Sequence, residues 1–108
     1  MRPVGWFELL PDLTTFPSAF DPRATLTADQ TERLDAISRT AECYGQSVCY
    51  GIAGIGELLA RVGESSELSP KALTEVGWLL NGLGDLAAKL RDVADGANDR
   101  LTAIPQER

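Results

Sequence analysis

The sequence predicts an all-α protein, a long antiparallel helical hairpin over about residues 27–62 and 70–101, carried behind an irregular N-terminal arm. Three observations support this. Apolar residues recur in two rows whose spacings alternate three and four, capping signals stand at the head of each row, and four of the six prolines fall before residue 23, outside both rows. With 108 residues the chain has room for one hydrophobic core. It divides into an arm (1–26), a hairpin domain (27–101) and a short tail (102–108).

The arm holds Pro3, Pro11, Pro17 and Pro22, and four of the seven aromatics, Trp6, Phe7, Phe16 and Phe20. Each proline removes a donor and pushes its predecessor toward extended backbone, so the arm is not one helix, although Trp6 to Leu10 can form a short helical turn. Its aromatics either cover their own bundle or order on a partner.

The first helix opens at Thr27-Ala28-Asp29-Gln30, where the Thr27 hydroxyl can accept from the Gln30 amide while the Gln30 side chain reaches back. Gly63 is its expected stop. The inward row runs Leu34, Ile37, Ala41, Tyr44, Val48, Gly51, Ile55, Leu58 and Val62. Ser69 and Pro70 then mark a cap and first turn, followed by Leu73, Val76, Leu80, Leu83, Ala87, Leu90, Ala94, Ala97 and Leu101. The polar connection 63–69 is short enough to fold one helix back on the other, setting Val62 against Leu73 and Leu34 against Leu101.

A hairpin alone is a thin rod. The second helix carries a further apolar row at Ala72, Leu79, Leu86 and Val93, and the first adds Ile52 and Leu59, which widen the stripe toward that of a bundle helix. Either the aromatic arm folds back over this row or a second copy docks there; the favoured expectation is a homodimer, a four-helix bundle of coiled-coil type, with Leu79, Leu86, Val93, Ile52 and Leu59 at the dimer interface and the arm contributing to it. Gly45, Gly51, Gly54, Gly56, Gly77, Gly82 and Gly84 each weaken a helix by about 1 kcal/mol against alanine, so a kink or break can form near 51–56 or 77–84, although the glycines are read first as packing devices rather than as a hinge or ligand-contact site. Ala41, Gly45, Cys49 and Ala53 form a small-residue stripe.

The composition excludes several function classes. A net charge of -6 opposes attraction to phosphate, which speaks against direct nucleic-acid or anionic-lipid partners. Without histidine the commonest general base is missing, and two cysteines cannot supply the four ligands of a structural zinc site, so neither metal nor cofactor is expected. Cys43 and Cys49 lie about 9 Å apart along a helix and lean to different faces, so they are expected to be reduced, half-buried packing residues. The run Gly51-Ile52-Ala53-Gly54-Ile55-Gly56 sits mid-helix and leads into Glu57, whereas a phosphate loop follows a strand and opens a helix. Every carboxylate lies outside the two rows, where burial cannot separate acid from base, so the protein is read as not an enzyme. Glu8 and Pro11 interrupt any signal-peptide core, and the 14 uncharged residues from Cys43 to Gly56 fall short of a membrane span, giving a cytoplasmic expectation with no membrane partner.

Two surface features remain. Asp85, Asp92 and Asp99 repeat every seven residues with Asp95 beside them, an acidic face that is either simply solvated or a decoy for a nucleic-acid-binding protein. Trp78 shares that outer line, where it is either covered by the arm or exposed as an interface anchor. Together these predict a non-catalytic protein-protein interaction module, an inhibitor or regulator whose partner contacts include Trp6, Phe7, Phe16, Phe20 and Trp78; the alternatives are the acidic DNA-mimic decoy and a purely structural assembly dimer. The connection 63–69 lacks the Trp-x-Gly of the small secreted helical hairpins. In size, acidity and helical content the chain resembles accessory proteins of phages and other mobile elements, which implies a role such as inhibition of bacterial defence.

Overall fold

The computed structural model describes residues 9–65 and 68–107. A 3-10 turn at Leu13–Thr15 precedes two long helices, α1 (Ala28–Ser65) and α2 (Pro70–Ala103), which pack side by side in a rod of 63 × 31 × 19 Å. Among the described residues there is no strand, and a single isolated bridge joins Leu26 to Gln106. The all-α hairpin is therefore the fold.

The caps form as their local chemistry dictates. Thr27 N–H donates to Gln30 Oε1 at 2.9 Å and Gln30 N–H donates to Thr27 Oγ1 at 3.1 Å, a reciprocal box that satisfies two donors the helix start would leave open. At the head of α2, Ser69 Oγ accepts from Ala72 N–H at 3.1 Å and Pro70 occupies the first turn. Gly63 does not end α1. It keeps right-handed backbone, the helix continues to Ser65, and Ser65 Oγ donates to the Val62 carbonyl at 2.8 Å. Both helices also run as continuous helix through their internal glycines, so neither breaks at 51–56 or 77–84. Helical hydrogen bonding and packing against the other helix outweigh the propensity penalty of each glycine.

The core sits at the open end of the hairpin, away from the turn. Phe16, Leu26, Leu34, Ala97 and Ile104 are buried together, with Leu13, Ala24, Ile37 and Leu101 packed against them. Arm and tail close this end jointly. Leu26 N–H donates to the Pro105 carbonyl at 2.9 Å, Glu107 N–H donates to the Leu26 carbonyl at 2.8 Å, and Thr25 Oγ1 donates to Glu107 Oε1 at 3.3 Å. The tail is thus tied to the arm. Asp12 caps the 3-10 turn by accepting from Thr14 Oγ1 at 2.7 Å and Thr14 N–H at 3.0 Å, and these two bonds hold its carboxyl below the ordinary value of 3.8. Leu13 reaches α2 where a Cβ at Gly96 would lie 2.8 Å from Leu13 Cδ1, so the arm docks where the helix has no side chain.

Away from the core the seam departs from a strict heptad. Tyr44, Gly51 and Leu58, expected to face α2, are exposed, while Gly45, Ile52 and Leu59, one residue later in each case, are half-buried. A Cβ built on Gly45 would stand 3.8 Å from Leu90 Cβ, in the place expected for Tyr44. The cause is geometric: a row repeating every seven residues drifts about 20° per heptad on a straight helix, and without strong supercoiling the contact passes to the next row. Leu73 at the start of α2 is likewise exposed. Cys43 and Cys49 are free and exposed, correcting their half-buried placement.

Candidate functional site

The two halves of the rod differ in how much apolar surface they cover. At the core end the arm and tail bury what the helices leave open. Toward the turn, Tyr44, Tyr50, Leu58, Leu73, Trp78 and Leu79 are all more than half exposed. No charge falls between Cys43 and Gly56 on α1 or between Val76 and Gly84 on α2, and with Gly45 standing beside Leu90 the hairpin sets the overlap of the two, about 51–56 against 79–84, at one level. The result is a short girdle around both helices with no charged side chain, bordered by charged residues on either side, among them Glu57, Arg61, Lys71, Glu75 and Asp85. A helix segment without charge on any side is more often covered than open.

The molecule exposes 8136 Å², whereas a compact monomer of 11.6 kDa exposes about 5,800 Å². An elongated rod exposes more than a compact body of the same mass.

Two grooves run between the helices on opposite sides. One, of about 590 Å³, has a floor of small residues (Ala41, Gly45, Cys49, Ala87, Ala94) and a rim that includes Tyr50, Glu42, Arg91 and Asp95. The other, of about 400 Å³, is mostly apolar with Arg33 and Thr40 on its wall, and joins Tyr44 and Ile37 of α1 to Leu90 and Val93 of α2, with Leu10 and Pro11 of the arm also lining it. Tyr44, Gly51 and Leu58 follow one another seven residues apart on α1, as do Ala72, Leu79, Leu86 and Val93 on α2. Both rows therefore open on the side of the arm.

The residues singled out from sequence separate cleanly. Phe16 is buried in the chain's own core, which removes it from any partner surface, whereas Phe20 is 95% exposed and Trp78 72% exposed. Trp6 and Phe7 lie outside the described residues. Ile52 and Leu59 are half-buried on the row that faces α2 within the hairpin, while Leu79 is exposed and Leu86 and Val93 are half-buried. Asp85, Asp92, Asp95 and Asp99 are all exposed; Arg91 Nε stands 3.8 Å from Asp95 Oδ2, and Lys89 interrupts the row. Sequence reasoning missed the exposed Tyr44, Tyr50, Leu58 and Leu73. The available signal was the absence of charge across two stretches that share one level.

Among the described residues no group of three His, Cys, Asp or Glu side chains could hold a metal ion, and no helix is long and apolar enough to cross a membrane. Compared with known proteins, the chain matches no family model, no curated protein and no solved structure.

Proposed function

We propose that the protein is a non-catalytic interaction module that works by presenting the turn half of its hairpin to another protein chain, as an inhibitor or regulator. One observation carries the reading: the chain seals the core end of the rod with its own arm and tail, yet leaves a charge-free apolar girdle exposed at the other. Trp78 is the natural anchor, a large aromatic on the outer side of that girdle, and Trp is prominent among residues that dominate binding energy. Phe20, on the arm, offers a second exposed aromatic.

The test places a photo-crosslinking side chain at position 78 in the native host and, in a second protein, at the exposed position Asp99. Specific adducts from position 78 and none from position 99, lost when an excess of unlabelled full-length chain competes, support the reading. Equal labelling at both positions defeats it. Trp78→Ala then serves as the binding variant, expected to keep its far-UV helicity and lose capture. The acidic-decoy alternative is disfavoured by the cations interleaved among the aspartates, and it requires a steep loss of partner affinity with salt.

A further inference from the structure

We infer that the first occupant of the turn half is a second copy of this chain, laid antiparallel on the arm side with a two-fold axis at the level of Gly51 on α1 and residue 82 on α2. This rests on the reading of that half as an interaction surface and gives it a partner. The argument comes from how the exposed rows map onto themselves.

A two-fold axis lying across two stacked hairpins sets α1 over α1 and α2 over α2, reversed in direction, and pairs each residue row with itself. On α2 the row Lys71, Trp78, Asp85, Asp92 has its midpoint between 81 and 82. Reversed on itself it brings Lys71 to the partner's Asp92 and the Trp78 indole N–H to the partner's Asp85. The neighbouring row Glu75, Gly82, Lys89 is centred on 82 and brings Glu75 to the partner's Lys89. The apolar row Ala72, Leu79, Leu86, Val93 is centred between 82 and 83 and sets Leu79 against the partner's Leu86. On α1 the row Tyr44, Gly51, Leu58 is centred on 51, setting Tyr44 against the partner's Leu58 and glycine against glycine where the helices cross. Three rows of one helix share one centre, every charged pair among them is of opposite sign, and the α1 centre lies at nearly the same level of the hairpin.

The area is sufficient. Two helices side by side are about 20 Å wide, and twenty residues span about 30 Å, so the face presents roughly 600 Å² per copy and roughly 1,200 Å² in all, the lower range for a stable interface. The apolar groove beside Tyr44, Val93, Leu10 and Pro11 lies where the partner's Leu58 arrives. Ile52 and Leu59, turned toward α2 within the hairpin, stay out of this interface.

The test uses the full chain and its mass by sedimentation across concentration, with helicity checked for each variant. The wild type is expected to be a dimer; Lys71→Asp or Asp92→Lys alone should weaken it about tenfold, and the double variant should restore it to within about twofold, because each chain then supplies the swapped partner. In a Cys43→Ser, Cys49→Ser background, Gly51→Cys should give an oxidised dimer, and Leu79→Cys should require Leu86→Cys in the same chain. A monomer at all concentrations up to roughly 1 mM, a dimer indifferent to the single reversals, or a double variant no better than the singles would overturn the inference. A monomer that still gives specific adducts from position 78 would overturn the self-pairing alone, whereas a dimer whose only adduct is itself would replace the foreign partner.

Discussion

Leu34→Ala and Leu58→Ala delete the same atoms from two positions that a heptad rule treats alike, yet the fold gives them different weight. Leu34 has no exposed surface and is surrounded by Phe16, Leu26, Ala97 and Ile104; Leu58 is 63% exposed. Truncating a fully buried leucine removes its transfer free energy and leaves a cavity, about 3 kcal/mol together. Leu58 keeps little more than a third of its burial to lose, so its truncation costs less than about 1 kcal/mol, partly offset by the better helix propensity of alanine. Urea unfolding followed by far-UV circular dichroism reads both. With a slope near 1.5 kcal/mol per molar, the midpoint should fall by about 2 M for Leu34→Ala and by less than about 0.7 M for Leu58→Ala. The measurement belongs at the lowest protein concentration the signal allows; on the self-pairing proposed above, the Leu58→Ala loss should grow with concentration, because the partner's Tyr44 would then cover that site. Equal shifts at low concentration would mean that the strict heptad register holds and that the drift of the seam is wrong.

Three further outcomes follow from single sites. Gly54→Ala and Gly77→Ala place a Cβ where no atom lies within 4 Å and should each raise stability by about 0.5–1 kcal/mol in thermal unfolding, whereas Gly96→Ala, with Leu13 Cδ1 at 2.8 Å, should gain nothing and shift the Leu13 methyl resonances. Thr31 Oγ1 is buried without a hydrogen-bond partner among the described residues, so Thr31→Val, which keeps the shape and removes the hydroxyl, should be neutral or stabilising by up to about 1 kcal/mol; a clear loss would reveal a bond to that oxygen. Because the Asp12 carboxyl is held below 3.8 when folded, its support of the 3-10 turn is complete above that pH and is lost as pH falls through the lowered value. The Thr14 amide resonance should move in that acid window and stay still in Asp12→Ala.

The helix starts were legible because they rest on contacts within four residues. Thr27 with Gln30 and Ser69 with Ala72 form the same bonds wherever the chain goes. The seam was legible at most positions, with Leu34, Ile37, Ala41, Val48, Ile55 and Val62 on α1 and all of the α2 row but Leu73 buried or half-buried; it failed at Tyr44, Gly51 and Leu58, because there the register depends on how tightly two helices coil, a property of the pair that a single row does not encode. The clamp of Leu26 on Pro105 and Glu107 joins two irregular segments through backbone groups, leaving no side-chain pattern to read. Its one sequence trace is an apolar residue just outside each helix, Leu26 before Thr27 and Ile104 after Ala103. Phe16 and Phe20, four apart in an arm without periodicity, ended on opposite sides of the burial divide because the turns at Ser18 and Asp21 lie around the second of them.

Seven helical glycines stand where a Cβ would meet nothing, all of them from residue 51 onward on α1 and before residue 85 on α2. Each weakens its helix, and the same segments bury the least apolar surface, so local opening should begin at the turn and stop short of the core. Anything that covers the turn half stabilises it by mass action, which makes the stability of that half depend on protein concentration while that of the core end does not. Amide hydrogen exchange separates the two. At low concentration the amides of residues 51–62 and 73–84 should exchange far faster than those around Leu34 and Ala97, and raising the concentration through the dimer range should slow the first group in proportion and leave the second unchanged. Uniform protection along both helices, or protection that ignores concentration, would show that the glycines leave the monomer rigid on its own and that the exposed girdle needs no second chain to hold it.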